Sequence, residues 1–346
     1  MILWQLDENF ELLGEITSSS VLWNRKYYEF GDFSIVIPSS QFNKNAKYIY
    51  RTDRKQLGVI NKKAYDDSKL QTTLSGYFIE KILNDKIIYP TFSGSGEITS
   101  VCSNIFNTYK KDLPIGIQEA IMMASGDKID IQITGEELGT KLYSILQTQE
   151  MSYKIDYDFE TNSLKLNFYK GLDRTQDQYD NNFITFSKTF DNISSVQADV
   201  DDSNYKNYFI VAGGEEGVNR VVEYVDLSNG GYQKQCFVDA RDLQQQEGQN
   251  LDDYKLELRQ RGLEKAQDYL SVTNITVNPV TSSYEYMLDY DLGDKCDIII
   301  NELGILIQAR IIAVYEAIEN GYTTIELEFG DKILSKIDKL ERRNIR

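Results

Sequence analysis

The stretch that most constrains this chain lies at residues 153–168, where side-chain character alternates with a period of two on both sides of a turn. Tyr153, Ile155, Tyr157 and Phe159 alternate up to Thr161-Asn162-Ser163, and Leu164, Leu166 and Phe168 alternate away from it. Asp156, Asp158 and Glu160 take the other face. Successive strand side chains point to opposite faces, so the pattern fits a half-buried antiparallel hairpin. Similar alternation recurs at Phe33, Ile35 and Ile37 before Pro38, at residues 57–64 and 72–83, and from Phe183 onward. A closing meander is predicted from Cys296–Ile300, Ile305–Tyr315 and Thr323–Phe329, its last turn carrying Asn320-Gly321. With 24 tyrosines and 15 phenylalanines placed largely in such runs, the chain reads as mainly β with α+β parts.

Helical spacing is confined to three places. Ile98, Val101, Cys102, Ile105, Phe106 and Tyr109 recur at three- and four-residue intervals. They follow Ser93-Gly94-Ser95-Gly96, a hydroxyl-rich stretch predicted to be flexible, to mark a domain boundary and to offer a serine cap. Thr134 and Glu137 have capping-box spacing ahead of Leu138, Leu142, Ile145 and Leu146. A third helix, from Leu251 to about Leu270, places Tyr254, Leu258, Ala266 and Tyr269 on one stripe, with Glu257 four residues before Arg261 on its exposed side. Gly31-Asp32, Gly126-Asp127, Gly293-Asp294 and Gly330-Asp331 each precede an alternating or apolar run and read as turns.

Composition removes whole classes of chemistry. Histidine is absent, which excludes imidazole bases, Ser-His and Cys-His nucleophile systems and histidine metal sites. Cys102, Cys236 and Cys296 are too few and too dispersed for a thiolate zinc site, and suit a reducing compartment where thiols pack as small apolar residues. No secretion signal is expected at the start, and no run reaches the ~18 apolar residues of a membrane span. The net charge of −17 disfavours groove contacts with nucleic acid. Residues 331–346 run the other way: Lys332, Lys336, Lys339, Arg342, Arg343 and Arg346 outnumber Asp331, Asp338 and Glu341, a basic segment suited to docking on an acidic partner.

No motif singles out a catalytic, cofactor or metal site. Gly213-Gly214-Glu215-Glu216-Gly217 lacks the lysine and following helix of a phosphate cradle and reads as a hairpin loop. Asp199 to Asn204 lacks the glycine and closing glutamate of a calcium loop and reads as an acidic loop. Two alternatives stay open at this point: a carbohydrate- or receptor-binding protein, given Trp4, Trp23 and the tyrosines, and a glycoside hydrolase built from two carboxylates.

Motifs in a fixed order carry a family resemblance. Trp23-Asn24-Arg25-Lys26-Tyr27, Gly31-Asp32-Phe33-Ser34-Ile35 and Ile37-Pro38 are followed by Gly76-Tyr77-Phe78-Ile79-Glu80 and Gly171-Leu172-Asp173-Arg174-Thr175. Phe186-Ser187, Asn192-Ile193, the run Asn204 to Gly217, Asp289-Tyr290-Asp291-Leu292-Gly293-Asp294 and Phe329-Gly330 complete the set. Over about residues 1–335 the chain resembles siphophage tail-hub, or tail-associated, proteins. The resemblance implies two tail-tube-like β-barrel domains plus a helix-hairpin domain, as in phage baseplate hubs. The expected domains are an N-terminal barrel over 1–92, an α+β unit over 93–180, a second barrel with an inserted helix over 181–330, and a basic helical tail over 331–346.

The resemblance also implies a homotrimeric, non-enzymatic ring that closes the tail tube at the virion's tail tip, assembled in the host bacterial cytoplasm. Its partners would be the distal tail protein, the tape measure protein and a tip, fibre or receptor-binding protein, with phage DNA passing through unbound. Asp199, Asp201 and Asp202 are the candidates for an acidic lumen, and Lys336, Lys339, Arg342, Arg343 and Arg346 for docking a tip protein.

Overall fold

The computed structural model describes all residues except 114–116, 120–124, 202, 215, 270–271, 281, 320 and 331–346. One sheet of thirteen strands runs through both ends of the sequence. Its order is Ile193–Asp201, Val272–Pro279, Tyr322–Gly330, Ile305–Glu319, Ser20–Lys26, Asp32–Pro38, Gln71–Phe78, Gln56–Asp66, Tyr48–Arg51, Leu3–Leu6 and Leu12–Ile16. Lys295–Ile300 branches from Ile305–Glu319 and carries Thr185–Ser187 in parallel.

The strand Ile305–Glu319 is the hinge of this topology. Along one edge it pairs with Tyr322–Gly330 throughout its second part. Along the other it pairs first with Lys295–Ile300, from Ile305 to Arg310, and then with Ser20–Lys26, from Ala313 to Glu319. A bulge between Ile311 and Ala313 marks the exchange of neighbours, and there the Tyr27 amide donates to the Ile312 carbonyl at 2.8 Å. The alternating opening of the chain and its closing meander thus share one ladder.

Two units hang from the sheet. Between Gln71–Phe78 and Thr185–Ser187 lie two helices, α1 (Ile98–Tyr109) and α2 (Leu138–Gln147), the strand pair Phe92–Glu97 with Lys128–Ile133, and the hairpin Ser152–Asp158 with Ser163–Tyr169. The hairpin has the alternation expected, Tyr157 opposite Leu164 and Tyr153 opposite Phe168, with Tyr153, Ile155, Tyr157, Leu164, Leu166 and Phe168 buried. Their core is continuous with Leu6, Tyr48, Tyr50 and Leu57 of the large sheet. The second unit is inserted between Ile193–Asp201 and Val272–Pro279. It contains α3 (Leu251–Ala266), which packs on the three-stranded sheet Val222–Asp226, Tyr208–Ala212 and Gln235–Asp239. Phe209, Val211, Val225, Val238, Tyr254 and Leu258 form its own core.

Three local expectations are corrected. Ser93-Gly94-Ser95-Gly96 is no flexible linker: it lies in a strand whose glycines Gly94 and Gly96 stand opposite Ile131 and Ile129, so the apolar partner supplies the packing that the sequence lacks. α1 is capped by Glu97 instead of serine, its carboxylate accepting from the Thr99 and Ser100 amides at 3.0 and 2.9 Å. Thr134 and Glu137 form no capping box, because α2 starts at Leu138 and the Asn84 side chain, 56 residues upstream, accepts from the Thr140 amide at 2.9 Å.

Buried polar contacts lock the neighbour exchange. Tyr27 is fully buried; its hydroxyl donates to the Glu150 carbonyl at 3.1 Å and accepts from the Gly171 amide at 3.1 Å. Gly293, at φ +93°, lies flat against the Tyr27 ring, where an added Cβ would sit 2.3 Å from Cε2. The neighbouring Asp294 does more than close its turn: it accepts from the Asp291 amide at 3.0 Å, the Leu172 amide at 2.7 Å and Arg174 Nε at 2.6 Å. Further along the shared strand, Glu316 Oε2 is 3.0 Å from Arg51 Nη2 and 3.1 Å from Arg54 Nη2, with Glu316 and Arg51 1% and 2% exposed.

Two substitutions test this junction by urea denaturation. Gly293→Ala meets both the left-handed backbone and the Tyr27 ring and should cost more than about 2 kcal/mol, whereas Gly304→Ala, at φ +64° in open space, should cost only about 1–2 kcal/mol. Glu316→Ala leaves the buried Arg51 and the partly exposed Arg54 with Asp53 as their remaining carboxylate and should cost about 1.5–3 kcal/mol.

Candidate functional site

The described surface offers edges, faces and a pocket of about 300 Å³ between Lys26, Glu29, Gln147, Tyr315 and Glu328. In the hairpin Gln56–Asp66 with Gln71–Phe78, every residue from Asn61 to Leu70 except Asp66 is exposed, including Tyr65 at 61% and Leu70 at 64%. Of the strand Gln56–Asp66 only Gln56 to Val59 pair with Tyr48–Arg51, so among the described residues the outer edge from Lys62 to Asp66 is unpaired. Lys62 and Lys63 sit on that edge, a common guard against unwanted strand addition. At the other end of the sheet, Ile193–Asp201 pairs on one side only among the described residues.

The inserted sheet presents its second face outward, opposite α3. Directly opposed residues share a face, so Ile210 stands between Tyr224 and Phe237, and Tyr208 between Asp226 and Gln235. Tyr224 and Phe237 are 52% and 60% exposed. Arg220 lies over the Phe237 ring at 5.7 Å and pairs with Asp239.

Of the residues singled out as an acidic lumen, Asp199 and Asp201 lie two apart on the edge strand Ile193–Asp201, opposite Asn274 and Val272. Asp202, and the whole basic set Lys336, Lys339, Arg342, Arg343 and Arg346, lie outside the described residues. The glycine-rich stretch at 213–217 joins the antiparallel strands Tyr208–Ala212 and Val222–Asp226, the hairpin connection its sequence suggested. Among the described residues no group of three or more Cys, Asp or Glu side chains converges on a possible metal position. Cys102 and Cys296 are buried, and burial pushes both thiols up; Cys236 is half-exposed.

The expected exposed pairing of Glu257 with Arg261 is corrected: Arg261 pairs with Asp242 at 2.8 Å, and Glu257 turns inward. Glu257 of α3 is 3% exposed, packed where the helix crosses Lys128–Ile133; one oxygen accepts from Gln249 Nε2 at 2.8 Å and the other has no partner. Burial pushes its pKa up to about 7, the Gln249 hydrogen bond opposes this, and the charges of Asp130 and Asp253 add to it. Burial likewise raises Asp130. Asp130 and the strand that buries Glu257 lie more than 120 residues before it in the chain, so no local pattern marks that burial. Glu97 moves the opposite way. Burial disfavours its charge, but hydrogen bonds from the Thr99 hydroxyl and from the amides of Thr99, Gly126 and Ser100 outweigh burial and hold its pKa down to about 2.

The two groups predict opposite pH behaviour, readable as Tm against pH. Glu257 has its folded pKa raised, so its stabilising contribution is complete below its ordinary range and is lost as pH rises toward 7; Glu257→Gln should raise Tm at pH 8 and leave it nearly unchanged at pH 4. Glu97 has its folded pKa lowered, so its contribution holds above the ordinary range and is lost as pH falls toward 2. Glu97→Ala should cost about 1 kcal/mol at pH 7 through the lost cap.

The sequence matches the model of a family described as Siphovirus ReqiPepy6 Gp37-like protein over residues 1–331. No curated protein matches the chain. The fold recurs in prophage tail protein gp18 from Listeria monocytogenes EGD-e, at a TM-score of 0.57 and 14% identity, with 100% of this chain and 99% of that one covered. It recurs in the tail protein from Neisseria meningitidis MC58, at 0.58 and 15% over 97% and 98% of the two chains. The 43 kDa tail protein of prophage MuSo2 from Shewanella oneidensis gives 0.56 and 12% over 95% and 97%. At such identities the likeness is one of fold, and the match in sequence supplies the family. A mainly β chain with its opening and closing strands in one ladder, matched from residue 1 to residue 331, therefore belongs to the family described as Siphovirus ReqiPepy6 Gp37-like protein.

Proposed function

We propose that this tail protein is the hub subunit at the distal tip of a siphophage tail, a structural and non-enzymatic role in which three copies close a ring at the end of the tube. The observation that carries the reading is the shared strand Ile305–Glu319, which fuses two antiparallel halves into one rigid subunit. Each half counts as one tube-like barrel, so three subunits present six similar units to a sixfold ring above. The exposed arm from Asn61 to Leu70 and the one-sided strand Ile193–Asp201 suit contact between copies and with the distal tail protein. The tape measure protein would end on this ring, and a tip, fibre or receptor-binding protein would lie below it.

In this reading Asp199, Asp201 and Asp202 face the channel. A negative wall repels the DNA backbone across less than a Debye length, about 8 Å in physiological salt, so the genome slides without being held. The basic segment 331–346 acts as a docking element, its six cations seeking an acidic surface.

Native mass measurement should give three times 39.9 kDa, and class-averaged micrographs should show threefold rings with an open axis. Purified protein that is strictly single-copy at assembly concentrations overturns the ring. Asp199→Lys with Asp201→Lys should create retention of duplex DNA that falls steeply with salt, while the unmodified ring retains none. Retention by the unmodified ring overturns the channel.

A further inference from the structure

The aromatic outer face of the inserted sheet and the basic segment 331–346 are brought to the same place by the topology. Phe329 is paired with Ile275, and Ile275 with Ala198. The strand Tyr322–Gly330 therefore leaves the large sheet level with Asn274 and Asp199. That is the end at which Asp201 and Val272, opposite each other, carry the chain into and out of the inserted unit. Whatever follows Gly330 begins at the stem of that unit.

The chemistry of the two is complementary. Residues 199–269 hold fifteen acids against eight bases, and residues 331–346 hold six bases against three acids. The segment also spaces Ile333, Ile337 and Leu340 at three- and four-residue intervals, among Lys332, Lys336, Lys339 and Arg343. The face offers Tyr208, Ile210, Tyr224 and Phe237 with Asp226 and Asp239 at opposite corners. An amphipathic basic segment is the occupant that an aromatic surface in an acidic setting takes. Sixteen residues span about 24 Å as a helix, enough to cross a three-stranded sheet whose outer strands lie about 10 Å apart.

We propose that segment 331–346 docks on the outer face of the inserted sheet, with its apolar residues on Tyr224 and Phe237 and its cations toward Asp226. This rests on the reading of the segment as a docking element and names its partner as this chain's own inserted unit, in the same or an adjacent copy. Docking covers the exposed aromatic face of that unit, on the side away from α3, and adds to the hold that α3 already has on Lys128–Ile133.

The test uses the full chain carrying Cys236→Ser, since Cys102 and Cys296 are buried. Phe237→Cys with Ile337→Cys is oxidised and the cross-linked peptides are mapped by mass. A segment tethered at the stem acts at an effective concentration on the order of millimolar, so the disulfide should form readily. Tyr77→Cys with Ile337→Cys, placed on another exposed strand, should form several-fold less. Adding Tyr224→Glu, an exposed change that leaves the core intact, should reduce the first cross-link and speed proteolysis of 331–346. Equal cross-linking at the two sites, or proteolysis of the segment indifferent to Tyr224→Glu, overturns the proposal and leaves the segment to a separate tip component. Three-copy particles without the cross-link overturn this inference alone, whereas single-copy chains that form it overturn the ring alone.

Discussion

A strand has two edges, and the structure depends on how Ile305–Glu319 spends one of them. Its fifteen residues are long enough to serve Lys295–Ile300 and then Ser20–Lys26 in succession, while the opposite edge stays with Tyr322–Gly330. Backbone amides and carbonyls that lose one neighbour must find another when buried, and the bulge at Ile312 is where the exchange is made without leaving them bare. Everything between residues 27 and 304 is consequently held between two strands of the same ladder. The halves of the molecule cannot hinge apart there without breaking main-chain hydrogen bonds as well as apolar contacts.

Buried charge clusters around that exchange in a consistent way. Arg310 reaches Glu150 at 2.6 Å, Arg174 reaches Asp294 at 2.6 Å, Arg25 reaches Glu80 at 3.0 Å, and Arg51 and Arg54 converge on Glu316. Each pair joins segments far apart in sequence. Desolvation offsets much of their attraction, so such pairs add little net stability over an apolar core; what they add is a penalty for any arrangement that separates the partners. Apolar residues from Tyr27 to Phe329 hold the halves together, and the ion pairs specify which residue meets which.

The elements legible in the sequence were those that carry their own periodicity. The hairpin 152–169, the closing meander and the stripes of α1 and α2 depend on side chains a few positions apart, and all are present. What escaped were features set by a distant partner. The strand at Phe92–Glu97 looks like a linker because its packing comes from Ile129 and Ile131, and α2 is capped by Asn84. Asp294 looked like a turn residue, yet it also holds Arg174, 120 residues away. Of the candidate lumen, only the backbone of Asp199 and Asp201 is placed, side by side on an edge strand. Glu257 reads as an exposed partner of Arg261 for the same reason, its buried environment being assembled by a helix crossing a strand from another part of the chain.

The inserted unit enters and leaves through residues that face each other across one ladder, Asp201 opposite Val272, and it carries a hydrophobic core of its own. A module joined to the body by that neck, and by α3 where it packs on Lys128–Ile133 and its Glu264 meets Lys141, can change on its remaining faces while the ladder beneath keeps its register. Divergence among relatives of this fold should therefore accumulate in that cassette, letting one conserved frame be refitted to different neighbours.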